Sequence, residues 1–255
     1  MASNEFDGKV VLITGGGSGF GRASALTFAK AGAKVIVADI VPKGGNETVA
    51  MVSDAGGIAS FIEVDIANSV SVQAMINTTV QRYGRLDCAF NNAGVQLECN
   101  TLADLDEEIW DKTIAVNQKG VFLCMKYEIQ QMLKQGGGVI VNTASIAGER
   151  PLVMNPAYTA SKFGVVGLTR YAAVEYAKSN IRINAICPGT MRTPMLERGL
   201  QRTGPLSEAA VAAMSPLGRF GEAQDIADAA FWLCSDKAKY VYGTVLAVDG
   251  GVIAQ

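Results

Sequence analysis

Between an apolar run, Lys9 to Ile13, and a helix-like run beginning near Arg22 lies the stretch Thr14, Gly15, Gly16, Gly17, Ser18, Gly19, Phe20, Gly21. A strand, a glycine turn and a helix start follow one another directly. Glycines there let the backbone take positive φ and let a bulky anion approach without meeting a Cβ, while the free N–H groups of the first helical turn point at that anion. The stretch reads as a phosphate cradle. An ordinary flexible turn would carry the entropic cost of so much glycine for no return.

Spacing decides which phosphate ligand fits. A mononucleotide loop needs Gly-x-x-x-x-Gly-Lys-Ser/Thr, and the nearest register, Gly16 to Gly21, continues with Arg22 and Ala23, so the phosphate lysine and the magnesium hydroxyl are both missing. Gly-x-Gly-x-x-Gly fails in every register, but Gly15-x-x-x-Gly19-x-Gly21 follows Thr14 at a strand end. The next strand, Lys34 to Ala38, ends in Asp39, roughly the 20 residues downstream where a ribose-binding acid is expected. The unit is a βαβ dinucleotide site.

Nearly half of the 255 residues are apolar and the net charge is only −2, which suits a globular core and supplies no basic field for nucleic acid or anionic membrane. Nothing resembles a linker, so a single domain is expected. Met1 to Asp7 carries acids and no apolar core, and no run reaches the roughly 18 apolar residues of a membrane span, so the chain reads as cytoplasmic. Five scattered cysteines, Cys88, Cys99, Cys124, Cys187 and Cys234, argue against disulfides and zinc ribbons and read as buried small apolar residues. The absence of histidine removes Ser-His-Asp hydrolases, His-ligated zinc dehydrogenases and His-based hydroxy-acid dehydrogenases together. No metal is expected, and any acid or base must be Tyr, Lys, Asp, Glu or Cys.

Strand-like and helix-like patches alternate from end to end. Strands are expected at Val10 to Thr14, Lys34 to Asp39, Ile58 to Val64, Leu86 to Asn91, Gly138 to Thr143, Arg182 to Cys187 and Thr244 to Val248. The intervening helices are Phe20 to Ala31, Lys43 to Ala55, Val70 to Tyr83, Asp106 to Leu133, Pro156 to Lys178 and Ala223 to Ser235. Apolar-throughout strands in this order imply an α/β fold, a doubly wound seven-stranded parallel sheet of Rossmann type, with ligands at the strand C-terminal ends. Functional residues are therefore sought just after each strand.

After the third strand come Asp65 and Ile66; the carboxylate suits either an adenine amine or an ordinary turn. After the fourth lies Asn91, Asn92, Ala93, Gly94, whose small residues permit close approach to a cofactor and whose amides can tie neighbouring strands. The fifth strand ends at Asn142, Thr143, Ala144 and Ser145, and a short loop leads through Pro156 to Tyr158 and Lys162. Tyr and Lys four apart share one helix face, so a phenol and an ammonium can work as a unit. A unit charge about 4 Å from a phenolate at an effective dielectric near 20 is worth roughly 4 kcal/mol, close to three pK units. That predicts a tyrosine near pKa 7, suited to general acid/base work, with Ser145 holding the substrate oxygen beside it.

In isolation a Tyr-x-x-x-Lys pair is a common surface feature. Here it follows Thr14-Gly15-x-x-x-Gly19-x-Gly21, Asn91-Asn92-Ala93-Gly94, Asn117 and Ser145, and that ordered set closely resembles the short-chain dehydrogenase/reductase family from Lys9 to Gly251. The resemblance implies that Tyr158 is the acid/base, that Lys162 lowers its pKa and binds the nicotinamide ribose, that Ser145 orients the carbonyl, and that Asn117 supports a water relay to the lysine. It also assigns the cofactor to Gly15, Ser18, Gly19, Phe20, Gly21, Asp39, Ile40, Asp65, Ile66, Asn92, Ala93 and Gly94, and to Pro188, Gly189 and Thr193 after the sixth strand. Thr193 would hold the nicotinamide carboxamide.

Asp39 can accept from both ribose hydroxyls of NAD but repels a 2′-phosphate, and Ser18 and Ile40 stand where NADPH users in the family often have Arg or Lys, so NAD(H) is the expected cofactor. Residues 190–217, through Met195, Leu196, Leu200, Gly204, Pro205, Met214 and Leu217, read as a substrate lid or as plain helix packing. Ile146, Ala147, Val95, Leu97, Met154 and Met191 suggest a neutral, partly apolar ketone or secondary alcohol, with Gln96, Glu149 and Arg150 near the same mouth. The expected reaction is hydride transfer between nicotinamide and a carbonyl or alcohol carbon (EC 1.1.1.-). The rivals are an NADPH-dependent 3-oxoacyl carrier-protein reductase and a non-catalytic NAD-binding sensor. Ile109 to Ile129 and Ala157 to Ala177 are apolar around much of their circumference, including Trp110, Val121, Phe122, Met125, Phe163, Val166, Tyr171 and Tyr176. That surplus predicts a homodimer, and the resemblance a homotetramer.

Overall fold

Strands apolar on both faces demand helices on both sides, and the chain builds that arrangement. The computed structural model describes residues 5–202, 210, 212, 213 and 215–255. Its elements are β1 (Val10–Thr14), α1 (Gly19–Lys30), β2 (Lys34–Asp39), α2 (Pro42–Asp54), β3 (Ile58–Glu63), α3 (Ser69–Tyr83), β4 (Cys88–Asn91), α4 (Glu107–Ile114), α5 (Val121–Gln135), β5 (Gly138–Thr143), α6 (Pro156–Tyr176), β6 (Ile181–Pro188), α7 (Pro194–Arg202), α8 (Ala223–Cys234) and β7 (Val245–Val248). All seven strands are parallel in the order β3-β2-β1-β4-β5-β6-β7. The strand order reverses between β1 and β4, which opens a crevice at the strand C-termini. Register brings Thr14, Asn91 and Asn142 side by side there.

Two cores cover the sheet. On one face Val72, Met75, Val121, Cys124, Met132, Val165 and Ala172 of α3, α5 and α6 bury against Leu12, Ile36 and Ile183. On the other, Phe28 of α1, Val52 of α2 and Ile226 and Leu233 of α8 pack on Val11, Ile13 and Val37. Phe6, Phe28 and Phe231 close the second core, with ring centroids 4.7–5.5 Å apart.

The predicted single helix Asp106 to Leu133 is interrupted. A π-helical stretch, Ala115–Gly120, joins α4 to α5. Such wide turns concentrate at functional sites, and this one carries Asn117. Gly120 lets this stretch lie close to Ile66, whose side chain would have to shift for a Cβ that would stand 2.8 Å from its Cδ1. The expected apolar surplus of α5 and α6 is also smaller than the sequence suggested. Val121, Met125 and Val166 face the sheet, whereas Phe122, Phe163, Tyr171 and Val174 remain exposed. Four of the five cysteines are buried and none is bridged. Among the described residues no helix is long and apolar enough to cross a membrane. Of the lid candidates, Met195 and Leu196 lie on α7 and Leu217 beyond it, while the side chain of Leu200, and Gly204, Pro205 and Met214, lie outside the described residues.

Candidate active site

Glycine is obligatory at two points of the turn after β1. Gly15 has φ +64° and a Cβ on it would come 2.9 Å from Ala93 Cα; a Cβ on Gly21 would collide with the Gly15 carbonyl. Thr14 locks this turn to the loop after β4: its hydroxyl accepts from the Asn92 and Ala93 amides at 3.0 and 3.2 Å, and Asn92 Nδ2 donates to the Thr14 carbonyl at 3.1 Å. Arg22, the residue that replaces the mononucleotide-loop lysine, is used structurally. It donates to the Gly17 carbonyl (2.5 Å) and Thr48 Oγ1 (3.0 Å) and pairs with Glu47 (3.1 Å).

The end of α1 that faces the crevice is left open. Ser18 makes no side-chain cap and the first turn holds no acid. By contrast, Asn68 accepts two amides at the start of α3, and Glu222 and Asp225 form a reciprocal capping box on α8. Uncapped donors at the positive end of a helix beside bare glycine fit the diphosphate of a dinucleotide. At the end of β2, Asp39 Oδ2 accepts from Gly17 N and Oδ1 from Val41 N, both at 2.9 Å. The carboxylate is thereby oriented with lone pairs to spare for ribose hydroxyls. Ile40 beside it is 62% exposed. Asp65 is exposed and closes an Asx turn onto Ala67 N at 2.9 Å, whereas Ile66 is buried. At the end of β6, Pro188 is buried and a Cβ on Gly189 would meet Asp249 Cα at 2.7 Å. Thr193 stands over the glycine turn, its Cγ2 3.8 Å from where a Gly19 Cβ would be, and its hydroxyl accepts from Leu196 N to start α7.

Tyr158, Lys162, Ser145 and Asn117 converge at the ends of β4 and β5. Lys162 is buried, donates from Nζ to the Thr143 carbonyl at 2.9 Å and lies 5.6 Å from the centre of the Tyr158 ring. Ser145 is buried, and its hydroxyl lowers the pKa of the Tyr158 phenol. Asn117 brackets Val95, accepting from its N–H and donating to its carbonyl at 2.8 Å each, and donates to Ser161 Oγ at 3.2 Å. Both of its amide hydrogens are thus used, on Val95 and Ser161, and Oδ1 keeps one lone pair. Gly94 turns its bare face to both polar groups: a Cβ there would lie 3.2 Å from Asn117 Oδ1 and 3.6 Å from Lys162 Nζ.

The electrostatics differ from the expectation of a tyrosine near pKa 7. Burial holds the Tyr158 phenol above its ordinary value, although the Ser145 hydroxyl pulls it down. Burial also pushes Lys162 down to about 8 and the neighbouring Cys187 thiol up to about 11. Desolvation disfavours the charged form of each group, and the ammonium stands 5.6 Å from the centre of the ring.

Two acids escaped the reading of the sequence. Glu98 is buried and its Oε1 accepts from the Tyr158 amide at 2.7 Å. Glu128 of α5 is fully buried and joins a polar chain behind the site. Asn91 Nδ2 donates to Glu128 Oε2 at 2.9 Å and to Asn142 Oδ1 at 3.0 Å, and Asn142 Nδ2 donates to Thr169 Oγ1 at 2.9 Å. Burial pushes the Glu128 carboxyl up to about 8. Glu128 had a legible signal, since Val121, Cys124, Met125, Glu128, Ile129 and Met132 form one helical stripe; Glu98 had none.

A family model described as enoyl-(acyl carrier protein) reductase matches residues 15–253. A short chain dehydrogenase/reductase of Aspergillus oryzae is 43% identical over 258 residues, covering 99% of each chain. A 2,5-dichloro-2,5-cyclohexadiene-1,4-diol dehydrogenase of Sphingobium indicum is 43% identical, covering 98% of this chain and 99% of that one. The crystal structure of a levodione reductase superposes with a TM-score of 0.95 at 40% identity, over 98% of this chain and 99% of that chain.

Proposed function

The chain belongs to the short-chain dehydrogenase/reductase family, and on that premise we propose that it interconverts a neutral cyclic ketone and its secondary alcohol with NAD(H). It is an oxidoreductase, and enzymes of this family use a nicotinamide cofactor. The observation that carries the reading is the convergence of Tyr158, Ser145 and the buried Lys162 beside the bare face of Gly94.

In ketone reduction the Ser145 hydroxyl holds the carbonyl oxygen and Tyr158 gives that oxygen its proton; in alcohol oxidation Tyr158 takes the proton back. When bound, the nicotinamide supplies the hydride in the first direction and accepts it in the second. Lys162 favours the phenolate and meets the nicotinamide ribose, and Asn117 keeps Val95 and Ser161 in place around them. The open end of α1 with Gly15, Ser18, Gly19, Phe20 and Gly21 receives the diphosphate. Asp39 and Ile40 border the adenosine ribose, Asp65 and Ile66 the adenine, and Asn92, Ala93 and Gly94 the nicotinamide ribose. Pro188, Gly189 and Thr193 hold the carboxamide end. Residues 190–217 serve as the substrate lid, with Thr193 accepting from Leu196 N at the start of α7.

The cyclic substrate is supported by the printed activity of the cyclohexadienediol dehydrogenase relative and by the uncharged Val95, Leu97 and Ile146 near the site. Exposed Phe122, Phe163, Tyr171 and Val174 support self-association through α5 and α6, which the family likeness extends to a homotetramer in the cytoplasm. The test follows NADH and NADPH oxidation at 340 nm against cyclic ketones, diketones, keto esters, a 3-oxoacyl thioester and sugar phosphates. Fastest turnover is expected with NADH and an uncharged cyclic ketone. A preference for NADPH with the acyl thioester would replace this reading with the carrier-protein reductase, and dinucleotide binding without any turnover would replace it with the sensor.

A further inference from the structure

We infer that Glu98 is a positioning residue for Tyr158: its carboxylate, reaching in from the loop after β4, caps the helix that carries the phenol. The inference rests on the ketone-reducing reading above.

Helix α6 lacks a cap of its own. Pro156 has no N–H, and the Thr159 amide donates to the Asn155 carbonyl at 2.9 Å. Two first-turn donors are left, the amides of Ala157 and Tyr158. Asn155 makes no side-chain cap and the first turn has no acid. Its side chain is committed elsewhere, accepting from Gln96 Nε2 at 2.8 Å and donating to the Val153 carbonyl at 3.1 Å. The Tyr158 amide instead donates to Glu98 Oε1 at 2.7 Å, and the Ala157 amide acts on the same carboxylate by lowering its pKa. Only 4% of Glu98 is exposed, and its Oε2 is buried without a partner. Burial raises its pKa and the two amides oppose that rise. A buried acid is an expensive way to cap a helix when a surface Ser or Asp would serve. What it adds is a link across the crevice.

Four rungs join residues 95–100 to the site and to the segment before Tyr158. Asn117 brackets Val95, Gln96 binds Asn155, Glu98 binds the Tyr158 amide, and Asn100 N donates to the Met154 carbonyl at 2.9 Å. Met154 is held at φ +66°, a strained conformation for a residue with a Cβ. The Tyr158 carbonyl is gripped as well, accepting from Ser161 Oγ at 2.7 Å, and Ser161 in turn accepts from Asn117. The peptide groups on both sides of the tyrosine are therefore fastened by side chains, one of them Glu98. Misplacing a reacting group by about 1 Å can cost 10²-fold in rate, so slack in this turn reaches the phenol.

The experiment compares the wild type with Glu98→Gln, Glu98→Asp and Glu98→Ala, reading kcat and KM with a cyclic ketone, NADH affinity by fluorescence, and Tm. Gln keeps an acceptor at the same reach and should retain kcat within about threefold, since a cap acceptor is preserved. Ala and the shorter Asp should lose at least about tenfold in kcat, while NADH affinity stays unchanged. If the Ala variant does not fold, the Asp variant carries the comparison. Variants that lose Tm but keep wild-type kcat, or that lose NADH affinity in step with kcat, overturn the positioning role. An inactive wild type overturns the ketone reading and this inference with it; an active wild type with unaffected Asp and Ala variants overturns this inference alone.

Discussion

Replacing Glu128 by Gln should change how stability depends on pH more than it changes stability at any one acid pH. Glu128 is fully buried, and burial pushes its carboxyl from the ordinary 4.5 to about 8 against the pull of the Asn91 amide. Between those values the unfolded chain has released its proton while the folded chain still holds it. The folded state binds more protons, so wild-type stability is full below about 4.5 and declines as pH rises to about 8. At 1.36 kcal/mol per pK unit the whole span is worth on the order of 5 kcal/mol. Gln keeps the size and an acceptor for Asn91 Nδ2 and does not titrate. Thermal unfolding of both proteins at pH 5, 6, 7 and 8, followed by circular dichroism, isolates the effect because every other group is shared. For a chain of this size, about 2–4 °C per kcal/mol makes the Tm of Glu128→Gln rise relative to wild type by about 10 °C from pH 5 to pH 8. A Tm difference that stays constant across this range would refute the neutral, buried acid.

Gly15→Ala combines a left-handed φ with a Cβ driven against the Ala93 backbone, so it should cost about 2 kcal/mol or more and weaken NADH binding, read by Tm and fluorescence. Gly56→Ala is the control, with φ +80° but open space around the new methyl, and should cost only about 1 kcal/mol. Asp39 should make kcat/KM favour NADH over NADPH by about 100-fold or more. Asp39→Ala should shrink that ratio at least about tenfold; an unchanged ratio removes Asp39 from the cofactor site.

The strands were legible because a sheet covered on both faces writes each one as an unbroken apolar run; β1, β2 and β5 begin and end where that pattern does. The parallel direction of the strands followed from the β/α alternation, but their order and register depend on long-range pairing and came only from the folded chain. The π stretch at Asn117 was not legible, since a widened turn leaves no mark in composition. Val121, Met125 and Val166 were read as surplus because the width of the face that a helix lays on a sheet depends on its neighbours. The glycine turn and the Tyr158–Lys162 pair are local patterns, which a sequence displays directly. Their electrostatics are not local: spacing puts Lys162 on the tyrosine's face, but the sign of the shift depends on burial that only the packed structure contains. Glu98 sits 60 residues before the amide it caps, so no spacing rule reaches it.

The most direct test of the account removes a single oxygen. Tyr158→Phe takes away the transferable proton and little else, so NADH oxidation with the best cyclic ketone should fall at least about 10²-fold, with Tm and NADH affinity preserved. Retention of more than about a tenth of wild-type kcat, against the contribution usual for a positioned acid, would contradict it.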